Sequence, residues 1–132
     1  MSSPIQEPPA VSIARAHVEA WSNHQFDKAR TILSDDVKVH TTTTQQIMKD
    51  VSTVGAEAYM TGLKMFAQGV EPGSAKVIAA TGDKHNALLL MTVRASFGPG
   101  APKLTLPAAR LYLVDDAGKI TSEKVIFYAA EG

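Results

Sequence analysis

The chain has 132 residues, 45% hydrophobic and 20% charged, with 13 basic residues balancing 13 acidic ones. That is one domain able to bury roughly two-thirds of its unfolded surface, and the balanced charge, without a basic stripe, excludes nucleic acid as an electrostatic partner. No cysteine is present, which removes disulfides, thiolate nucleophiles and thiolate metal sites and fits a cytoplasmic protein, while no apolar run approaches the ~20 residues needed to cross a bilayer, so no membrane partner is expected.

Residues 1–9 carry Pro4, Pro8 and Pro9 and no basic region followed by an apolar run. They read as a loose arm rather than a signal peptide, ahead of a single domain over residues 10–132. Pro9 suits the first turn of a helix. Ile13, Ala14, Val18 and Trp21 continue it at helical spacing, with His17 on the same stripe and a stop near Asn23-His24. A shorter helix is expected over Phe26 to Leu33, ending at Ser34-Asp35-Asp36, followed by a strand from Val37 through His40 to Thr41. Thr41 to Thr53 is polar and β-prone and reads as a loop or irregular strand. Helix three opens at Gly55 and runs to about Gln68, with Tyr59, Leu63 and Phe66 as its stripe and Gly69 and Pro72-Gly73 as its stop.

Two strands follow, Ala75 to Thr81 and Asn86 to Phe97. In the second, Leu89, Met91, Val93, Ala95 and Phe97 share a face opposite Thr92, Arg94 and Ser96. The last third is a long hairpin. Its arms, Leu104 to Val114 and Lys119 to Phe127, are rich in strand formers and meet at Asp115-Asp116-Ala117-Gly118. Asp offers local backbone hydrogen bonds there and Gly a positive φ. An even loop sets Val114 against Lys119 and Arg110 directly against Glu123. A three-residue loop with a bulge shifts the register by one and breaks that pairing. Helix, helix, strand, helix and four antiparallel strands make an α+β fold: three helices on one strongly curved antiparallel sheet, a cone whose mouth is a usual ligand site.

The runs Val18-Glu-Ala-Trp21, Phe26-Asp27-Lys-Ala, Leu33-Ser-Asp-Asp36-Val-Lys-Val-His40, Gly55-Ala-Glu-Ala-Tyr59 and Tyr112 through Gly118-Lys-Ile resemble the nuclear transport factor 2-like superfamily. That group includes the ketosteroid isomerases and SnoaL-like polyketide cyclases. The resemblance covers nearly the whole chain and implies the cone fold, which is a cystatin-like roll. In ketosteroid isomerases a helix-one Tyr and a late-strand acid form an oxyanion hole, and an Asp after the first strand moves the proton. By similarity these positions fall on His17, Arg110 and Thr41, and none matches, which argues against a ketosteroid isomerase. The Arg-and-two-Asp arrangement of limonene epoxide hydrolases is not evident either. Relatives of this fold commonly dimerise through the outer sheet face, where Leu111, Leu113 and Ile126 stand, so a homodimer is expected.

The candidate working groups are His17, Arg110, Glu123 and His40. A neutral imidazole titrates near neutrality and suits general acid–base work, but His17 is equally readable as a core residue, and His40 as an outward, solvated one. Facing inward, Arg110 is an anion clamp and Glu123 a base or the arginine's partner; facing outward they are a surface pair. Trp21, Thr41, Tyr59, Leu63, Phe66, Met91, Tyr112 and Phe127 are candidate pocket walls, each also explained as core or strand end. The histidines show no HxxxH or HxH spacing, so neither a metal nor a cofactor is expected. The sequence thus points to a small, apolar ligand and cofactor-free acid–base chemistry of isomerase, cyclase or hydrolase type. The alternative is a non-catalytic carrier or interaction module on the same fold.

Overall fold

The computed structural model of the protein describes residues 7–43, 51–96 and 98–128. Helix α1 spans Pro9–Ser22, α2 Phe26–Thr31 and α3 Ala56–Ala67; the strands are β1 Leu33–Thr43, β2 Val51–Val54, β3 Lys76–Gly82, β4 Asn86–Ala95, β5 Leu104–Val114 and β6 Ile120–Phe127. The six strands form one open sheet in the order β2-β1-β6-β5-β4-β3, and the three helices pack on one face of it. All neighbouring strands run antiparallel except β1 and β6, which are parallel, so the sheet is mixed rather than wholly antiparallel. No described helix is long and apolar enough to cross a membrane.

Helix α1 begins where proline costs nothing, with Pro9 in its first turn. Of the predicted stripe it buries Ala14, His17, Val18 and Trp21, with Ile13 partly buried, and it buries Ala10 and Val11 as well. The helix stops as expected: the Asn23 amide returns to the Glu19 carbonyl, and His24 turns the chain with φ of 61°. Residues 1–6 of the expected arm lie outside the described residues, and Glu7 is tied to α1 by Arg15 at 2.8 Å.

Two boundaries differ from expectation. Helix α2 ends at Thr31, and β1 starts at Leu33 rather than Val37. The Ile120 amide donates to the Ile32 carbonyl at 2.9 Å, which draws this stretch into the sheet, and an irregularity between Leu33 and Lys38 absorbs its polar residues. The stretch read as loop or irregular strand ends in β2, whose β-branched Val51, Thr53 and Val54 pair with β1 at the sheet edge. On β4 the inward set Leu89, Met91, Val93 and Ala95 is buried as expected, while Phe97 lies outside the described residues.

The β5–β6 turn follows its sequence chemistry: Asp115 Oδ1 accepts from the amides of Ala117 and Lys119, and Gly118 has φ of 80°. The register does not. Val114 pairs with Ile120 rather than Lys119, and a bulge between Leu113 and Val114 adds one more residue, so Arg110 stands opposite Val125 and Tyr112 opposite Glu123. Two single-residue shifts restore the original parity. Arg110 and Glu123 are diagonal rather than direct cross-strand partners, and they still share the inner face.

Candidate functional site

Alternation along β5 turns Ala108, Arg110, Tyr112 and Val114 inward, and along β6 it does the same for Glu123 and Val125. Two ionisable groups are thereby carried into the interior, Arg110 with 3% of its surface exposed and Glu123 with none. They meet there: Arg110 Nη1 donates to Glu123 Oε1 at 2.5 Å. Tyr59, projected from α3, donates its hydroxyl to Glu123 Oε2. Both carboxylate oxygens are therefore engaged, which is the condition for holding a charge away from water. The guanidinium lies over the Trp21 ring at 4.9 Å from its centroid, with the Phe127 ring at 5.9 Å.

A pocket of about 210 Å3 opens in front of this group. Helix α3 supplies Ala58, Tyr59, Gly62, Leu63 and Phe66 to it, β1 and β2 supply Val39, Thr41, Val51 and Thr53, and Arg110 and Phe127 close the inner wall. The β1–β2 register explains the outer wall, because Thr41 faces Val51 and Val39 faces Thr53; each pair therefore projects from the same sheet face. Gly62 leaves room, since a Cβ built on it meets no atom within 4 Å. Helix α1 stands behind the wall, where it supplies Trp21 and His17.

Of the residues singled out in the sequence, Thr41, Tyr59, Leu63, Phe66, Arg110 and Phe127 line the pocket. Glu123 lies immediately behind it. Trp21 is the floor under the guanidinium and touches Phe66, with ring centroids 5.8 Å apart. Tyr112 is wholly buried on the inner face beside Glu123. Met91 packs in the core on β4, which rests against α1, and is not a wall of this pocket.

His40 is on the other face of β1 from Val39 and Thr41, because successive strand residues point to opposite sides. Its Nδ1 meets Ser52 Oγ at 2.7 Å on that outer side, so it does not join the group around Glu123. Val51, Thr53, Val39, Ala58 and Gly62 were missed. The β-branched alternation of Val51 to Val54 was a signal for the first two, and Gly62 lies on the Tyr59–Leu63–Phe66 face of α3.

His17 is fully buried, 5.9 Å from the Tyr59 ring, and neither of its ring nitrogens has a hydrogen-bond partner. Burial lowers its pKa from 6.5 to about 4; Glu123 pulls it upward in part and Arg110 pushes it down. It is therefore an uncharged imidazole at neutral pH. Burial and then the Glu123 carboxylate drive the Tyr59 hydroxyl well above its ordinary range, and burial likewise raises Tyr112. Both are neutral phenols. Burial opposes the charge on Arg110, but the surrounding oxygens of Tyr112, Glu123 and Tyr59 outweigh it and its pKa is raised. Arg110 Nε, Trp21 Nε1 and Tyr112 Oη also lack hydrogen-bond partners.

An inward ion pair, a tyrosine bridging to it and a pocket between α3 and the β1–β2 edge are set on a half-open sheet. The model of the SnoaL-like domain matches residues 14–123. The chain belongs to the SnoaL-like domain family. Solved structures agree on the fold. A protein from Kribbella flavida is 26% identical, with a TM-score of 0.72 over 90% of this chain and 86% of that one. An LEH-like epoxide hydrolase of M. tuberculosis is 22% identical, with a TM-score of 0.70 over 90% and 82%. A Mycobacterium tuberculosis protein solved with estradiol-17beta-hemisuccinate is 16% identical, with a TM-score of 0.72 over 90% and 93%. No curated protein matches the chain. The ligand-binding cone expected of the sequence is thus that of a SnoaL-like domain.

Proposed function

We propose that this SnoaL-like domain binds a small, largely apolar molecule in the pocket between α3 and the β1–β2 edge. Arg110 receives its polar group, and Glu123 and Tyr59 hold the guanidinium in place. The observation that carries this is the position of Arg110, nearly buried and the one charged side chain among the described residues of a wall that includes Val39, Leu63, Phe66 and Phe127. At about 210 Å3 the pocket falls below the roughly 300–1,000 Å3 of sites that take drug-sized ligands, so the ligand is smaller than a steroid. Neighbours with this fold support a ligand-binding role, though not the size of the ligand, one being an LEH-like epoxide hydrolase and another a complex with estradiol-17beta-hemisuccinate.

Filling the pocket tests it. Gly62→Leu projects a side chain into the open space at that position, and binding of a small apolar probe such as acetophenone, followed by calorimetry, is expected to disappear while the circular dichroism spectrum stays unchanged. Undiminished binding sinks the proposal.

A second reading, cofactor-free acid–base turnover, rests on the contact between Tyr59 and Glu123, a donor and a carboxylate joined at the pocket wall. Tyr59→Phe separates the two. Turnover predicts that the variant keeps ligand affinity and loses rate, whereas a carrier changes only in affinity. The exposed Leu88, Leu90, Leu111, Leu113 and Ile126 on the outer sheet face support a homodimer built on that surface.

A further inference from the structure

We infer that the pocket selects an uncharged ligand carrying a hydrogen-bond acceptor over a carboxylate of the same shape, with Glu123 as the residue that sets the choice. The inference rests on the ligand-pocket reading above and adds the charge class of the ligand.

The formal charges around the site add to zero. Arg110 is the one formally charged side chain among the described residues lining the pocket, and its charge is matched by the wholly buried Glu123 at 2.5 Å. The other titratable neighbours contribute nothing at neutral pH: Tyr59 and Tyr112 are protonated phenols and His17 an unprotonated imidazole. A carboxylate entering this wall brings a negative charge to a guanidinium that is already neutralised. To pair with it, Arg110 must loosen from Glu123, and Glu123 forms no other ion pair among the described residues. One of the two anions is then left desolvated without a cation, the arrangement that costs most in a protein interior.

A carbonyl or ether oxygen meets no such obstacle. Its loss of hydration is small, and the guanidinium has five N–H donors, of which Nη1 serves Glu123 and Nε has no partner. The Thr41 and Thr53 side chains add polar groups toward the outer wall without adding charge. An apolar cavity of about 150 Å3 takes benzene, so a volume of about 210 Å3 suits one ring with a short polar substituent.

Acetophenone and benzoate have the same ring and the same number of heavy atoms, and they differ in charge at neutral pH. Titrating each into the wild-type protein, with calorimetry and the fluorescence of the single tryptophan as readouts, is expected to give a dissociation constant at least about tenfold lower for acetophenone. Glu123→Gln leaves Arg110 unmatched, and Thr53→Lys adds a cation at the outer wall without disturbing the buried pair. Each is expected to tighten benzoate relative to acetophenone, lowering the ratio of their dissociation constants about tenfold. Wild-type protein that binds benzoate as tightly as acetophenone, or variants that both leave that ratio unchanged, overturns the charge selection and leaves the pocket reading standing. If neither compound binds wild type up to its solubility, the pocket reading fails and the inference fails with it. Where Glu123→Gln does not fold, Thr53→Lys and the wild-type comparison decide.

Discussion

The interior ion pair makes a quantitative prediction about stability. Arg110→Met keeps most of the aliphatic volume under Phe127 and over Trp21 but leaves the Glu123 carboxylate, with none of its surface exposed, held by Tyr59 alone. Removing one partner of a buried pair costs about 3–5 kcal/mol. The guanidinium also lies 4.9 Å from the Trp21 centroid, a desolvated contact of about 2 kcal/mol that overlaps the first figure because both are lost with one group. A destabilisation of about 4 kcal/mol is therefore expected. Adding Glu123→Leu removes the stranded charge, and the double variant is expected to recover to within about 1–2 kcal/mol of wild type or to exceed it. Urea unfolding followed by Trp21 fluorescence and circular dichroism measures all three proteins, and coincident transitions license the comparison. A cost under about 1 kcal/mol for Arg110→Met, the value of a solvated pair, would refute the burial argument. A double variant no more stable than the single one would show that the stranded carboxylate was not the cause.

Gly62→Ala is expected to raise stability by about 0.5–1 kcal/mol, because a helix-interior glycine is replaced by the best helix former in open space; thermal denaturation checks it, and an unchanged or lower melting temperature contradicts it. His17 has a folded pKa of about 4 against 6.5 unfolded, so between those values the unfolded chain holds more protons and stability falls as pH drops. The loss amounts to about 3 kcal/mol and levels off only as pH falls below about 4. It should vanish in His17→Leu, and a pH profile unchanged by that substitution removes His17 as its source. Leu111→Glu places a charge directly opposite Leu88 on the outer face; sedimentation should show dimer converted to monomer, and a wild type that is monomeric at micromolar concentration ends the dimer proposal.

The helices were legible because each carries its own stop and stripe: Pro9 and Asn23-His24 bound α1, and Tyr59, Leu63 and Phe66 mark the buried side of α3. Alternation on β4 was equally plain. What local pattern could not carry was β1 beside β6. A parallel pair joins residues more than eighty positions apart, and only the folded chain sets Val39 next to Glu123. The early start of β1 has the same origin, since Ser34, Asp35 and Asp36 read as the end of the second helix and enter the sheet through backbone bonds made elsewhere. Edge strand β2 was hidden among polar, β-prone residues, and with it went Val51 and Thr53, half of the pocket's outer wall.

The Arg110–Glu123 pair shows why the candidate site was nevertheless partly visible. Facing was determined by a requirement that does not depend on loop geometry: each charge interrupts an apolar run, and two opposite charges on one inner face satisfy each other. Register was determined by the turn, and the turn took one residue more than an even loop while the bulge before Glu123 took another. Had either shift occurred alone, β6 would have turned Glu123 outward with Lys124 in its place, setting two cations against each other inside. The bulge is thus the element that reconciles the five-residue turn with the buried pair. His40 failed as a candidate by the same rule, one residue out of phase with Val39 and Thr41. In a strand next to a site, parity decides whether a side chain participates at all.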